Sequence, residues 1–353
     1  MAKVTEIDPI KDQQWDEFVL AHPLGWLCHH SGWKRVLDRS FGHMKGHYLA
    51  IIQNGEIKAA LPVYEVRSWL LGHRLISVPF ATLCDPLVTS PAEMNTLVEE
   101  TFNLMRSVRA SSIEIKTLSS STLVNNDNLS SNLYHKYHYM RLGDPPELLM
   151  KNFDRSCVRQ KIAKAMKSNL TLEECRSEED LRAFHKLHAL TRKERQGLPP
   201  KPYILFESLW QVFSPTNNVS ILLCRWRDRI IAGVMLFKFR DRISIEIAAY
   251  DTKLVHLCPM HFLIWHSIQM AYREGYKILD FGSTPFLDKG LMDFKKRWAT
   301  TVCDLVNFNH PRRESQHHER VESAGYKIVQ SILRRAPDAV VSTIGRFVYH
   351  HLG

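Results

Sequence analysis

The sequence predicts an α/β protein built from two similar units, each with a mixed β-sheet flanked by helices, followed by a helical C-terminal tail. Two observations lead to this fold class. The order hairpin, third strand, helix and closing strand occurs twice along the chain, which indicates a repeated unit. The length of 353 residues also suits two domains of roughly 150 residues each. We therefore predict domains at 1–150 and 151–310, with a tail at 311–353 that packs back on them.

The first unit is predicted to contain two short helices, a hairpin, a third strand, a crossover helix and a closing strand, at 12–20, 31–40, 47–53, 57–66, 74–78, 91–109 and 112–118. Asn54-Gly55 predicts the hairpin turn, because both residues tolerate left-handed backbone. Ser90 is the expected N-cap of the crossover helix, with Pro91 at its first position. The Ser/Asn-rich stretch 119–132 is predicted to be a flexible loop.

The second unit begins with a basic helix and two further helices and then repeats the order of the first, at 153–169, 177–195, 206–213, 219–226, 230–239, 243–249, 259–273 and 278–279. In the basic helix Val158, Ile162 and Met166 recur every four residues and form the predicted buried stripe. The cations of this helix either form a solvated face around that stripe or contact a phosphate. Ser177 is the expected N-cap of the next helix.

The charge and the cysteines limit the classes of function. A formal net charge of +10 and a pI near 9.2 favour anionic partners. The seven cysteines are scattered and never spaced C-x-x-C, which indicates free thiols in a reducing compartment. The sequence has no long apolar segment and no signal-peptide pattern, so it predicts a cytoplasmic protein. His185 and His188 lie three apart without a further ligand at a suitable spacing, and no metal site is predicted.

The stretch 276–308 carries the strongest indication of a site. A buried strand ends at Asp280, a polar loop follows, and three consecutive cations then stand between Phe294 and Trp298. Loops that leave strand ends hold much of the chemistry of α/β proteins. The cations either bind an anionic ligand or form a solvated helix face that the two aromatic residues attach to the core.

The predicted strand order is the one used by acyltransferases of the GNAT class. In that class the third strand leads to a glycine-rich turn that binds the pyrophosphate of acetyl-CoA at a helix N-terminus. The equivalent stretch here, 250–259, contains no glycine, so acetyl-CoA is the less favoured donor and no cofactor is predicted. The sequence shows no GxSxG, Walker A, Rossmann or HExxH motif, and Ser283 and Thr284 are weak candidates for a nucleophile.

Several segments resemble the FemAB-related acyltransferases, and especially the subgroup associated with exosortase/PEP-CTERM and exopolysaccharide export clusters. They are VRQKIAKAMKSNL, TRKERQGLPPKPYILFESL, LDFGSTPFLDKGLMDFKKRW and the tail SILRRAPDAVVSTIGRFVYHHLG. The resemblance covers most of the chain. It implies two tandem GNAT-like domains, and transfer of an amino acid from aminoacyl-tRNA to the amine of a peptidoglycan precursor.

The resemblance also implies site residues. Phe294 and Lys295 match the Phe-Lys pair of the second domain in that family, where the lysine lies at the reacting centre. Together with the sequence pattern it suggests a set of substrate-binding residues, which are Arg192, Arg195, Tyr250, Asp280, Ser283, Lys296 and Trp298. This chain departs from the family at Ser283-Thr284, where Arg-Ser is usual, and at Ala299, where glycine is usual. No carboxylate is identified as a general base.

These features predict an N-acyl or aminoacyl transferase that acts on a peptidoglycan or exopolysaccharide precursor. The expected partners are an anionic or lipid-linked precursor, tRNA and the inner membrane surface, but not DNA. A catalytically silent GNAT-like module in a polysaccharide or protein export system is the alternative, because glycines and a base are missing. A third hypothesis is an RNA-binding protein without catalysis, whose binding would weaken steeply with salt.

Overall fold

The computed structural model describes residues 3–311 and 324–352, and the predicted polar stretch RRESQHHER lies outside these residues. The chain divides into two compact units. The first holds the described residues up to His135, those from Asp304 to the gap, and those from Phe347 onward. The second holds Lys136–Cys303 and the described residues of the tail up to Arg346. Compact units need not fold independently, so the domain limits at 150 and 310 stay predictions.

Twelve strands, β1 to β12, occupy Lys3–Ile7, Lys45–Gln53, Glu56–Ser68, Gly72–Ser77, Ser112–Thr117, Ser130–Arg141, Thr171–Glu174, Val219–Trp226, Arg229–Phe239, Arg242–Tyr250, Ile278–Pro285 and Thr301–His310 of the described chain. The α-helices of the same residues, α1 to α11, occupy Trp15–Ala21, Ser31–Ser40, Pro91–Val108, Pro146–Leu149, Gln160–Met166, Glu178–Thr191, Tyr203–Phe213, Pro259–Arg273, Lys289–Lys296, Ala324–Arg335 and Asp338–Leu352. Two π-helical turns lie at Arg155–Arg159 and Arg192–Gln196.

The sheet of the first unit has the order β1-β2-β3-β4-β5-β12. All of these neighbours pair antiparallel except β4 and β5, which are parallel and are connected through α3. Asn54 and Gly55 both have positive φ, at 54° and 81°, which confirms the predicted hairpin turn. Ser90 accepts a hydrogen bond from the Glu93 N–H and caps α3 as predicted.

The sheet of the second unit has the order β6-β11-β10-β9-β8-β7. The strands β10 and β11 are parallel and are connected through α8, whereas β7 to β10 pair antiparallel. The core of this unit lies between the sheet and α8, and includes Phe262, Trp265, Ile268 and Trp298. The order β2-β3-β4-α3-β5 thus recurs as β8-β9-β10-α8-β11. The predicted fold class, two tandem α/β units with mixed sheets and a helical tail, is confirmed.

Three details of the prediction are wrong. The stretch 119–132 is not wholly a loop, because a 3₁₀ turn covers Ser120–Leu123 and β6 begins at Ser130. The edge strands β1 and β7 were not expected, since both are short and mostly exposed. Met166 is 53% exposed, and Ala165 is buried instead. The buried positions 158, 162 and 165 are spaced four and three residues apart, which keeps them on one face of a helix with 3.6 residues per turn, whereas a second step of four residues to Met166 leaves that face.

The described part of the tail has two portions. The portion up to Arg346 packs on the second unit, and the portion from Phe347 onward packs on the first. In the second unit the Gln330 side chain donates to the Gln196 carbonyl at 2.8 Å, and Lys193 pairs with Asp338 at 2.6 Å. In the first unit Arg74 donates to the His351 carbonyl at 2.9 Å. Among the described helices, none is long and apolar enough to span a bilayer.

Replacing Gly233 in β9 by alanine is expected to destabilise the second unit. The added Cβ would lie 2.6 Å from a ring carbon of Phe184, which is fully buried. Because the core must shift to accept it, we expect the free energy of unfolding to fall by about 1–3 kcal/mol. Gly143→Ala is the matched control, since nothing lies within 4 Å of its added Cβ. Equal destabilisation of both variants in chemical denaturation would contradict this packing.

Candidate functional site

The parallel strands β10 and β11 separate in the second unit. Their pairing covers Arg242 to Ser244 against Ile278 to Asp280, although β10 continues to Tyr250 and β11 to Pro285. On its other side β10 has a bulge at Glu246, where the register against β9 shifts by one residue. A bulge disrupts the ladder and redirects a side chain. The separation therefore leaves backbone and side-chain groups of both strands available for chemistry.

Lys295 on α9 reaches the part of β11 beyond the separation. Its side chain is 7% exposed, and Nζ donates to the carbonyls of Gly282 at 3.0 Å and Ser283 at 2.9 Å. Gly282 has φ of +73°, in the left-handed region that favours glycine. A Cβ at this position would lie 4.0 Å from Lys295 Nζ. The glycine thus lets two successive carbonyls approach one buried amine.

Burial lowers the pKa of Lys295 from its ordinary value of 10.5 to about 8. The negative charges of Asp280, Glu246 and Asp288 act in the opposite direction. An amine with a pKa near neutral pH can exist in both protonation states, which is the requirement for a group that exchanges protons during a reaction.

Asp280 is a fully buried carboxyl on β11. Burial and the negative charge of Glu246 raise its pKa from 3.8 to about 7. The Tyr137 hydroxyl, the Gly282 N–H and the positive charge of Arg242 oppose this shift in pKa. Since Oδ1 accepts a hydrogen bond from the Gly282 N–H, Asp280 also fixes the turn that binds Lys295.

Glu246 was not singled out from the sequence. It is half-buried at the bulge of β10, and the Ser244 hydroxyl donates to its carboxylate at 2.7 Å. Its charge acts on the pKa values of both Asp280 and Lys295, so the three groups are electrostatically coupled. The available signal was an acidic residue within the apolar strand Ile-Ser-Ile-Glu-Ile.

His138 on β6 is a second residue that the sequence did not reveal. Its ring is fully buried, and its nitrogens contact Thr300 Oγ1 at 3.3 Å and Met292 Sδ at 3.1 Å. Burial and the positive charges of Lys295 and Lys296 lower its pKa to about 4. His138 is therefore neutral at physiological pH and adds no positive charge beside Lys295.

The two aromatic residues around the cations differ in position. Phe294 is half-buried and packs against His261, with ring centroids 5.7 Å apart. Trp298 has no exposed surface and stacks on the same histidine ring, also at 5.7 Å, while its own ring lies 6.4 Å from that of Phe294. Its position supports packing beneath α9 rather than direct contact with a substrate. Lys296 is exposed, and Ala299 has φ of 57°, a conformation that favours glycine.

The remaining predicted residues lie at the far end of β10. The Thr191 hydroxyl accepts from the Tyr250 N–H and donates to the Tyr250 carbonyl, both at 2.9 Å. Arg192 follows Thr191 and donates to the Pro199 carbonyl at 3.3 Å, while Arg195 is exposed. The structure thus brings Asp280 and Ser283 together with Lys295. Tyr250 lies four residues beyond Glu246 at the end of β10, and Arg192 and Arg195 lie on the π-helical turn that follows Thr191.

The turn after β10 lies in the stretch 250–259, which contains no glycine. Its backbone N–H groups already donate to neighbouring oxygens, at Lys253, Leu254, Cys258 and His261. Pro259, at the first position of α8, has no N–H to offer. An anion that bound these four N–H groups would have to displace the hydrogen bonds that they already make.

Histidines 185 and 188 are held by the protein backbone. The ring of His185 contacts the Lys201 carbonyl at 2.9 Å, and the Lys201 N–H donates to His188 at 3.2 Å. Burial lowers the pKa of both rings. These hydrogen bonds to the backbone account for the orientation of the two rings.

Another cluster, in the first unit, brings two thiols and an imidazole within 4.8 Å of one another, namely Cys28, His29 and Cys84. The His29 Nδ1 accepts from the Trp26 N–H at 3.0 Å. Nε2 is then the protonated nitrogen and donates to the Asp85 carbonyl at 3.0 Å. Both ring nitrogens are thus engaged, and a cation would have to break one of these hydrogen bonds.

Replacing Lys295 by methionine is expected to change how stability depends on pH. Between pH 8 and 10.5 the unfolded chain binds more protons at this lysine than the folded chain does. The free energy of unfolding of the wild type should therefore rise relative to Lys295→Met across this window, by about 3 kcal/mol in total. Chemical denaturation at a series of pH values measures the difference.

Lys296→Met is the matched control, since Lys296 is the exposed neighbour on the same helix. Its stability relative to wild type should not depend on pH in this window. A flat difference for Lys295→Met would show that the amine keeps an ordinary pKa.

Comparison with known proteins identifies the fold. Residues 154–296 match a family model described as an acetyltransferase (GNAT) domain. The crystal structure of FemX matches with a TM-score of 0.71 at 15% sequence identity, covering 91% of this chain and 99% of that one. A search of curated proteins finds no match.

Two further solved structures are similar. The C-terminal domain of a putative lysylphosphatidylglycerol synthetase from Agrobacterium fabrum matches with a TM-score of 0.54 and 14% identity, covering 86% of this chain and 96% of that one. A tandem GNAT protein from the clavulanic acid biosynthesis pathway matches with a TM-score of 0.56 and 8% identity, covering 88% and 98%. At these identities the likeness shows the fold and not the reaction. The chain has a GNAT-type fold in tandem units, and its fold is similar to that of FemX.

Proposed function

We propose that this protein is an acyltransferase that transfers an aminoacyl group to an amine or hydroxyl of a cell-envelope precursor, as FemAB-type enzymes do. The observation that carries the proposal is the buried Lys295 amine, held at the separation of β10 and β11 beside two carboxyl groups. Such a group is costly to bury, and proteins keep it where it has a task.

The chemistry requires an anion to be stabilised and a proton to be moved. Attack by an acceptor amine on an ester carbonyl forms a C–N bond and places negative charge on the carbonyl oxygen. The Lys295 ammonium has three N–H groups and uses two on Gly282 and Ser283, so the third is directed to this oxygen.

Two proton transfers complete the reaction. Glu246, the more accessible of the two carboxylates, accepts the proton that the attacking amine loses. The C–O bond of the ester then breaks and the leaving ribose oxygen takes a proton from Lys295. Return of the proton from Glu246 to Lys295, directly or through solvent, restores both groups. Asp280 acts as a positioning residue, because it holds the turn at Gly282 through the backbone.

An aminoacyl ester of tRNA is the donor that we favour. The engaged N–H groups after β10 argue against coenzyme A, and the net charge of +10 suits a polyanionic donor. We assign Arg192, Arg195 and Lys296 to contacts with donor phosphates, because all three lie at or near the surface. The seven cysteines are free, which suits the cytoplasm, where charged tRNA is found.

The cell-envelope acceptor is inferred from likeness. The similarity to FemX and to a putative lysylphosphatidylglycerol synthetase supports an acceptor of this class. The tail sequence resembles the exosortase-associated subgroup of the FemAB-related acyltransferases. We therefore propose an exopolysaccharide precursor as a second candidate acceptor beside a peptidoglycan precursor. The departure at Ser283-Thr284 lies where Lys295 binds, and we expect it to alter the choice of acceptor.

The competing proposal is a GNAT-like module that binds an envelope precursor without catalysis. The test offers purified protein charged tRNA, acetyl-CoA and longer acyl-CoAs, first for thermal stabilisation and then for transfer to amine-bearing muropeptide and saccharide precursors. We expect charged tRNA to stabilise the protein and to label an acceptor. Stabilisation by acetyl-CoA would contradict our interpretation of the turn after β10.

Glu246→Gln separates catalysis from binding. Removing the proton acceptor is expected to lower the rate of transfer by about 10²–10⁴-fold while donor affinity stays close to wild type. Lys295→Met should lower the rate by about 10²–10³-fold, whereas the exposed control Lys296→Met should lower donor affinity instead. Unchanged transfer in Glu246→Gln would remove it as the base. Binding without any transfer in wild type would favour the silent module.

A further inference from the structure

An apolar patch protrudes from the first unit at the turn between β3 and β4. Three consecutive large side chains are exposed there, Trp69 at 77%, Leu70 at 56% and Leu71 at 39%. The ring of Phe347, itself 48% exposed, lies 6.0 Å from that of Trp69. We call these four residues the hairpin patch. Large apolar side chains that are exposed next to one another mark interaction surfaces in soluble proteins.

The hairpin patch is ordered by its own contacts. The Ser68 hydroxyl accepts from the N–H groups of Leu70 at 3.2 Å and Leu71 at 2.9 Å, which fixes the turn. The ring of His351 meets the Trp69 ring edge-on at 5.7 Å. Arg74, next to the turn, donates to the His351 carbonyl at the end of α11. The patch is therefore preformed and needs little ordering on binding.

Two exposed arginines lie on segments next to the hairpin patch in the chain or the sheet. The side chain of Arg67 is 71% exposed two residues before Trp69, and its Nε pairs with Glu65 at 2.6 Å, which leaves its terminal amino groups towards solvent. The end of α3 lies beside the turn, since the Ser111 hydroxyl donates to the His73 carbonyl at 2.8 Å. Arg109, two residues before Ser111, is also exposed. Tryptophan and leucine flanked by arginine are the residues that bind the interface of an anionic bilayer.

We propose that the hairpin patch inserts into the headgroup region of a bilayer that contains anionic lipids. The patch lies at the apex of a hairpin, which suits a planar soft surface better than the groove of a folded partner. Trp69 is amphipathic, with an apolar ring and an N–H that suits the polar interface. The arginines meet the lipid phosphates. The inference does not depend on the proposed transferase activity, because vesicle binding is measured without donor or acceptor.

The test is flotation of the full-length chain with vesicles of phosphatidylcholine mixed with phosphatidylglycerol, and with vesicles of phosphatidylcholine alone. We expect binding to the anionic vesicles that weakens as salt is raised. The double variant Trp69→Ser, Leu70→Ser should bind the anionic vesicles at least about tenfold more weakly than wild type. Because both side chains are exposed, the thermal unfolding temperature should stay near that of wild type.

Leu20→Ser is the matched control, since Leu20 is exposed to the same 56% on α1 and lies outside the patch. It should bind vesicles as wild type does. Equal loss in the control and the double variant, or no vesicle binding by wild type, would overturn the proposal. Self-association that the double variant abolishes, without vesicle binding, would assign the patch to a second copy of the chain.

Discussion

The hydrogen bonds from Lys295 to the carbonyls of Gly282 and Ser283 hold the candidate site together. They require three features at once. The parallel pairing of β10 with β11 must end at Ser244 and Asp280 so that the carbonyls are available. Gly282 must adopt its left-handed conformation, and α9 must rest on the core so that the amine points at the strand. The fold of the second unit provides each of these features.

Burial and neighbouring charges act together on the pKa values of the ionisable groups in the site. Burial favours the neutral forms of both Lys295 and Asp280. The negative charge of Asp280 raises the pKa of Lys295, and that of Glu246 raises the pKa of both groups. The folded chain binds the Asp280 proton more tightly than the unfolded chain does. The contribution of Asp280 to the free energy of unfolding therefore falls as the pH rises from 3.8 towards 7. The region accordingly gives up stability near neutral pH. In exchange for this lower stability, the site holds groups that can both take up and release protons near neutral pH.

Much of the fold and part of the site could be predicted from the sequence. The repeat follows from local periodicity and turn residues, such as Asn54-Gly55 and Ser90-Pro91, which act over a few positions. Lys295 was predicted because aromatic residues flank the cations and because the motif resembles a known family. Glu246 and His138 could not be predicted in the same way. Their environment depends on a strand bulge and on the pairing of segments distant in sequence. The burial of Trp298 likewise depends on α8.

The most direct test of this account is the pKa of the Lys295 amine, measured by NMR titration of protein with isotope-labelled lysine side chains. The Lys295→Met variant assigns the resonance. We expect the amine to titrate near pH 8, with a still lower pKa in Glu246→Gln, since the negative charge of Glu246 raises the pKa of Lys295. An amine that titrates near 10.5 and does not respond to Glu246→Gln would contradict it.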